Sequence, residues 1–555
     1  MPKNVLTAWQ RLMGLLKLDR KDVLQTFYYA IFAGLVNLSL PLGIQAIINL
    51  LQGAQISTSW IILVVLVTGG VAFGGVLQLM QIRIIENLQQ KIFTRSSFEF
   101  TYRFPKIKMD DLRDYYPPEL ANRFFDTLNV QKGLAKMLID FPGAFLQIVF
   151  GLILLSFYHP FFIIYGILLI VLIYIVFKFT VQKGMETSLN ESKSKYKVAH
   201  WIQEVARSIT SFKISGKTSL ALIKNDRLVD NYLVDRESHF RILVIQFIHM
   251  IGFKVLVTAG LLLIGGFLVL NQQINIGQFV AAEIIILLVI NSVEKLIRGL
   301  DTFYDLLTSL EKLGQVVDMD LEDQQGEKPL PEDGSISVEL SGISFIAPGS
   351  NKKILEDINL KIAPKDSILI LGANGSGKTT LLRLISGVIQ PNLGNIFVND
   401  ISLYGMNLNH YRSFIGQSLT EESPFEGTIL ENITMGDKNI SQKDLYWALE
   451  NVGLLQFIKD QPQGLNTTLF PEGKQIPYTV SKKIILARSI VKKPKILIFK
   501  DPLNQFDEIE ALRIMNFLLD NHNPWALIVV SQDPKWINRC KRIVTLDQGK
   551  IVSQT

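Results

Sequence analysis

From Val23 to Ile82 the chain runs sixty residues without a single Asp, Glu, Lys or Arg. A lipid bilayer presents about 30 Å of hydrocarbon, which a helix crosses in about twenty apolar residues. The run is therefore long enough for two membrane helices, turning at Gln52 to Thr58. Two further runs repeat the pattern. Phe141 to Phe177 carries no formal charge and is interrupted only by Tyr158-His159-Pro160; Ile242 to Leu270 and Ile274 to Val293 flank the uncharged turn Asn271-Gln272-Gln273. Three hairpins make six helices. Pro41, Pro142 and the glycines at 69, 70, 74 and 75 suit kinks and close helix packing within them.

Orientation follows from the connections. The short turns hold no Lys or Arg, whereas the long ones hold clusters such as Arg103 to Lys108 and Lys183 to Lys197. Positive charge stays on the cytoplasmic side, so the long loops, both termini and everything after residue 300 are expected there, in a multi-pass protein of the inner (cytoplasmic) membrane. That placement also accounts for the net charge of +6 without nucleic acid, which is excluded as a partner; the lipid bilayer takes its place. Charged residues amount to 19% of the chain against about 25% in soluble proteins, which rules out disorder. The single cysteine, Cys540, rules out an intramolecular disulfide framework and a Cys-rich metal site. No signal peptide is expected, because the apolar stretch at 23 is too long for one and leads into a second span. Residues 5 to 18 read as an amphipathic helix, either at the membrane interface or packed on protein. Lys254 falls close to the inner interface, where its stem can snorkel. Glu283 sits deeper and is expected to face a water-filled cavity rather than lipid, there contacting substrate or a proton or making a structural hydrogen bond.

The resulting division is an amphipathic helix over 1–22, a six-helix membrane domain over 23–317 with cytoplasmic loops at 83–140 and 178–241, an acidic, Pro-containing linker over 318–334, and a second domain over 335–555. That last part alternates short β-rich runs (Ile336 to Leu340, Ser367 to Leu371, Asn395 to Val398, Lys495 to Phe499, Ala526 to Val530) with helical stretches. Such alternation predicts an α/β domain with a parallel sheet.

One motif in it carries chemistry. Gly372-Ala373-Asn374-Gly375-Ser376-Gly377-Lys378-Thr379 fits the phosphate-binding P-loop pattern, preceded by the apolar run Ile368 to Leu371 and followed by a helix from Thr380 to Ile385. Gly372, Gly375 and Gly377, with Asn374 and Ser376, let backbone N–H groups close around phosphates at a helix N-terminus. Lys378 supplies a point charge to them and Thr379 a hydroxyl to Mg²⁺. ATP and Mg²⁺ are the cofactors this predicts.

Six spans followed by a P-loop domain resemble the ATP-binding-cassette exporters. Further matches occur in order: Gln417 at the Q-loop position, Phe425 to Ile433 after it, Ile484-Ile485-Leu486-Ala487-Arg488, Pro494 to Phe499, and the hairpin from Gly265 to Ala281, which is similar to that of type I secretion and peptide exporters. The resemblance implies that two such chains pair, each nucleotide lying between one chain's P-loop and the other's signature sequence. It adds Gln417 to Thr379 as a metal ligand and Thr380 to the phosphate contacts, places coupling helices near Pro117 to Phe125 and Lys213 to Leu220, and allows a periplasmic adaptor as a further partner. The transported substrate stays open.

The departures from the family pattern are as telling. Where the family has Leu-Ser-Gly-Gly-Gln, this chain has Ile476-Pro477-Tyr478-Thr479-Val480. The Asp-Glu pair closing the Walker B strand becomes Lys500-Asp501, so a cation stands at a metal-binding carboxylate and the base position is one methylene short. Gln532 occupies the switch-histidine position, Ala347 that of the adenine-stacking aromatic, and Asn504-Gln505-Phe506-Asp507 keeps only the last residue of the D-loop. Lys500, Asp501 and Gln532 are the catalytic-position residues, each a poor substitute. These losses imply a half-transporter that binds ATP without efficient hydrolysis, paired in a heterodimer with an intact partner rather than in a homodimer. The alternative is a nucleotide-gated or regulatory pseudo-ATPase membrane subunit that does not cycle.

Overall fold

A computed structural model describes residues 6–52, 58–112, 115–324, 326–331, 334–347 and 352–555. The first expected turn, at 53–57, and linker positions 325, 332 and 333 lie outside the described residues. The chain forms two compact units, Met1–Lys106 with Asp114–Met319, and Ile107–Arg113 with Asp320–Thr555. The short piece beginning at Ile107 thus belongs with the second unit: Ile107 bridges Leu321 in antiparallel fashion, and Lys108 N–H donates to Asp320 O at 2.9 Å. Nothing in the charge pattern of 83–140 signals that excursion.

In the first unit the apolar runs do not stop where charge begins. Single helices continue through Thr58–Arg103, Asp126–Ser156, Phe161–Arg207, Leu220–Leu270 and Ile276–Val317. Much of the expected cytoplasmic loops is therefore helix, because Lys, Glu, Gln and Arg are good helix formers once the backbone has nucleated. Among the described residues five helices are long and apolar enough to cross a membrane; the helix Phe161–Arg207 contributes a shorter apolar stretch, Phe161–Val171. The first expected span is two helices, Arg20–Asn37 and Ser39–Gln52, meeting at Leu38. Pro41, which has no N–H to return to the Asn37 carbonyl, stands just past the break. The turns at Phe157–Pro160 and 271–275 fall where the uncharged breaks put them.

The helices close on small residues. A Cβ on Gly299 would lie 2.4 Å from the Phe141 ring, and one on Gly184 would lie 2.4 Å from that of Tyr304. The N-terminal helix Ala8–Leu18 is capped by a Thr7–Gln10 box and takes the protein-packed alternative. Leu12 is buried in a cluster with Ile85, Leu88, Leu306 and Leu310, and Arg11 is ion-paired with Asp318. Trp9 and Leu18 remain exposed. Lys254 has an ion-pair partner, Glu294, at 3.7 Å.

Among the described residues the second unit contains twelve strands: β1 Val338–Ile346, β2 Lys353–Ile362, β3 Ser367–Leu371, β4 Leu393–Val398, β5 Ile401–Ser402, β6 Ile415–Ser418, β7 Gly427–Thr428, β8 Thr468–Leu469, β9 Ile496–Lys500, β10 Ala526–Val530, β11 Arg542–Asp547 and β12 Lys550–Gln554. The main sheet has the order β12-β11-β3-β10-β9-β6 and is parallel except for β12. Its central strands β3 and β10 read Ser-Ile-Leu-Ile-Leu and Ala-Leu-Ile-Val-Val, apolar on both faces because both faces are covered. A separate antiparallel sheet, β2-β1-β4-β5, packs Val338, Leu340, Ile358 and Ile362 against the same core that receives Ile368 and Ile370. In such a doubly covered parallel sheet the loops at the strand carboxyl ends form the ligand crevice.

Candidate nucleotide site

The loop after β3 enters the helix Lys378–Ile385 through Gly377, whose φ of +101° only glycine holds without strain. A Cβ there would lie 2.6 Å from Leu355 Cδ2 and 2.9 Å from the Ile354 carbonyl; one on Gly372 would lie 2.1 Å from the Leu546 carbonyl. The glycines are thus required by close backbone approach as well as by φ. The Lys378 ammonium donates to the carbonyls of Gly372 and Ala373, each at 2.7 Å, and is 3.4 Å from Ser376 Oγ.

Around the loop lies a cavity of about 1160 Å³. Asn374, Gly375, Gly377, Lys378, Thr379 and Thr380 line it from the loop and helix, Lys500 and Asp501 from the end of β9, and Gln532 from the end of β10. Ala347 lines it too, so the position expected to face an adenine ring offers a methyl group rather than an aromatic face. Gly372 and Ser376 shape the loop without lining the cavity, and Gln417 is not among the lining residues either. Its amide on β6 donates to Glu422 Oε1 at 2.7 Å, and burial raises the Glu422 carboxyl above the ordinary glutamate range.

Lys500 reaches the helix start directly, its ammonium donating to Thr379 Oγ1 at 3.0 Å. The hydroxyl lone pair that would ligate a metal accepts from a cation instead. Both expected metal ligands are engaged by protein groups, Thr379 by Lys500 and the Gln417 amide by Glu422, and an ammonium is a poor neighbour for a divalent ion. With the Lys500 ammonium on its hydroxyl, Thr379 as it stands does not fit a Mg²⁺ ligand. Lys378 is held below the ordinary lysine range by burial first and by the charge of Lys500 second. Two neighbouring ammonium groups repel, and an anion between them relieves both. Asp501 follows Lys500 in the left-handed region, φ +45°, with its N–H donating to Val530 O at 2.8 Å.

Several lining residues carry no motif in the sequence: Lys353 and Ile354 on β2, Trp536, and Gln548-Gly549 in the β11–β12 turn; Phe506, within the D-loop-position segment, lines the cavity too. Only Gly549 left a local signal, its φ of +82° marking a tight turn. The signature-position residues sit at the start of the helix Tyr478–Ile490, with Pro477 as its N-cap residue and no side-chain cap hydrogen bond. Pro477 and Tyr478 are exposed. Asp507, the retained D-loop residue, caps the helix Glu508–Leu518 by accepting from the Glu510 N–H.

Family comparison agrees with this geometry. Residues 355–504 match the ABC transporter family, and residues 24–293 match the ABC transporter transmembrane region. The chain belongs to the ABC transporters. It is 27% identical over 356 residues to the alpha-hemolysin translocation ATP-binding protein HlyB of Escherichia coli O157:H7, covering 63% of this chain and 50% of that protein. It is 27% identical over 369 residues to the leukotoxin translocation ATP-binding protein LktB of Mannheimia haemolytica, covering 63% and 51%. This ABC transporter chain thus spans about half the length of the curated relatives it matches first. The structure of a bacterial Atm1-family ABC exporter with ATP bound superposes with a TM-score of 0.85 at 15% identity, covering 96% of this chain and 95% of that one. That likeness establishes the fold: a membrane helical domain followed by an α/β nucleotide-binding domain.

Proposed function

We propose that this chain is one half of an ABC exporter, a subunit that binds ATP and couples cassette closure to export while hydrolysing ATP poorly at its own site. The observation that carries the reading is the Lys500 ammonium on the Thr379 hydroxyl. It places positive charge where the family pattern has a metal-binding carboxylate. Lys378, Lys500 and the loop backbone suffice to neutralise and orient phosphates, since charge-assisted bonds from ammonium to phosphate are strong and need no metal. Asp501 fails as a base: a side chain one methylene short withdraws its carboxylate by roughly 1.5 Å, and misplacement of about 1 Å can cost a hundredfold in rate. Gln532 cannot carry the charge of an imidazolium.

Pairing follows from the same losses. A homodimer would combine a weak base with Pro477-Tyr478-Thr479 at both composite sites, whereas a partner with an intact base, metal ligand and switch histidine restores turnover at one. A heterodimer in the inner membrane, with cassettes in the cytoplasm, suits this chain best; the translocation role named for its relatives is what suggests export as the task. The test is labelled-ATP binding to the purified chain and to Lys378→Ala. Loss of binding in the variant is expected, and equal binding would overturn the nucleotide reading.

A further inference from the structure

A second cavity, of about 770 Å³, lies wholly within the helical unit and shares no residue with the nucleotide site. It is enclosed by the segment Pro117–Phe125, the far end of the helix Phe161–Arg207, the start of Leu220–Leu270 and the end of Ile276–Val317. Its charge is nearly of one sign: Arg123, Lys193, Lys197, Arg207, Lys224 and Lys312 line it, against Glu119 and Glu204.

Two of these cations are inside the protein, Arg123 at 7% and Lys312 at 5% exposure. The buried Nε and Nη1 of Arg123 have no hydrogen-bond partner among the described residues. Its carboxylate neighbour Glu119 stands 4.0 Å from Nη2 and also faces His200 at 3.1 Å. Lys312 has no ion-pair partner among the described residues; its ammonium lies 5.0 Å from the centre of the Tyr196 ring. The buried carboxylate nearby, Asp126, accepts from the Tyr196 hydroxyl. The counter-charge these two buried cations have is one long contact to Glu119 and the Asp126 carboxylate, itself engaged by Tyr196, and burying incompletely paired charge is costly.

We propose that this cavity binds a soluble, multiply charged phosphorylated small molecule. An arginine fork beside several ammonium groups matches phosphate oxygens. The volume falls within the range of small-ligand sites, about 300–1,000 Å³. The indole of Trp201, with Lys224 4.0 Å above its ring, and the Tyr116 ring supply flat apolar wall. A lipid headgroup is out of reach. Lys193 lies fifteen residues beyond Lys178, the first charge after the apolar run, which along one continuous helix is about 22 Å.

The experiment uses the full chain carrying Lys378→Ala, so that the P-loop is silent, in phosphatidylcholine nanodiscs, with inorganic pyrophosphate titrated calorimetrically. Saturable binding is expected, weakened roughly tenfold or more by Lys193→Gln with Lys197→Gln and by Lys312→Gln. The first pair is at the surface-facing rim, so it stays informative should the buried variant fail to fold. The pair should leave ATP binding unchanged in the chain that keeps Lys378. Absence of saturable pyrophosphate binding, or equal affinity in the rim pair, would overturn the proposal. So would competition by phosphatidylglycerol in the disc, which would assign the site to lipid, or loss of binding on assembly with the partner half-transporter, which would assign the cations to a protein contact.

Discussion

At the scale of single residues, the phosphate loop carries ammonium at two points, Lys378 on its own carbonyls and Lys500 3.0 Å from Thr379 Oγ1. Returning a carboxylate to the second point should return the metal. In Lys500→Asp, Mg²⁺ is expected to raise nucleotide affinity by about tenfold, read by fluorescent-nucleotide titration with and without EDTA; no response to Mg²⁺ in that variant would remove Lys500 from the account. Gly377 gives a second expectation. Gly377→Ala places a Cβ 2.6 Å from Leu355 Cδ2 at φ +101°, and such strain costs about 1–3 kcal/mol. The variant should therefore lose nucleotide affinity and melt earlier. Unchanged binding would mean that the loop is not held in this shape when it works.

At the scale of elements, the proposed loss of hydrolysis includes the start of the helix Tyr478–Ile490, where Pro477, Tyr478 and Thr479 occupy the signature positions. Pro477→Ser, Tyr478→Gly and Thr479→Gly together rebuild a small, hydroxyl-bearing N-terminus, at a helix-propensity cost of up to about 1 kcal/mol per glycine. Paired with an intact partner, the triple variant should turn over ATP at least tenfold faster than the parent complex, measured as phosphate release. An unchanged rate would place the defect elsewhere. Elements also show what a sequence can and cannot reveal. The strands β3 and β10 were legible because burial on both faces makes them continuous apolar runs, and the helix turns because uncharged breaks interrupt long apolar ones. β2 was not legible: Lys-Ile-Leu-Glu-Asp-Ile-Asn-Leu-Lys-Ile has one wet face and charges on it, so its pattern reads as surface, and with it the antiparallel sheet went unanticipated. Lys500, Asp501 and Gln532 were found by position along strands that end at the crevice. Lys353 and Trp536 reach the same cavity through tertiary folding, which leaves no local pattern. Gln417 stands at the Q-loop position by resemblance to the family, and its side chain is turned to Glu422 five residues on.

At the scale of the whole molecule, labour in the proposed complex is divided between this chain and a partner. In the reconstituted complex, removal of the partner's catalytic glutamate should abolish turnover, whereas Asp501→Ala here should change the rate less than about twofold, because a misplaced carboxylate already contributes little. Equal damage from both would make this chain a working ATPase. The most direct measurement of the central claim needs only this chain in nanodiscs with EDTA present: bound labelled ATP and released phosphate are read from the same sample. The account predicts saturable ATP binding without Mg²⁺ and phosphate release no greater than that of Lys378→Ala. ATP binding that appears only on adding Mg²⁺, accompanied by steady phosphate release, would contradict it.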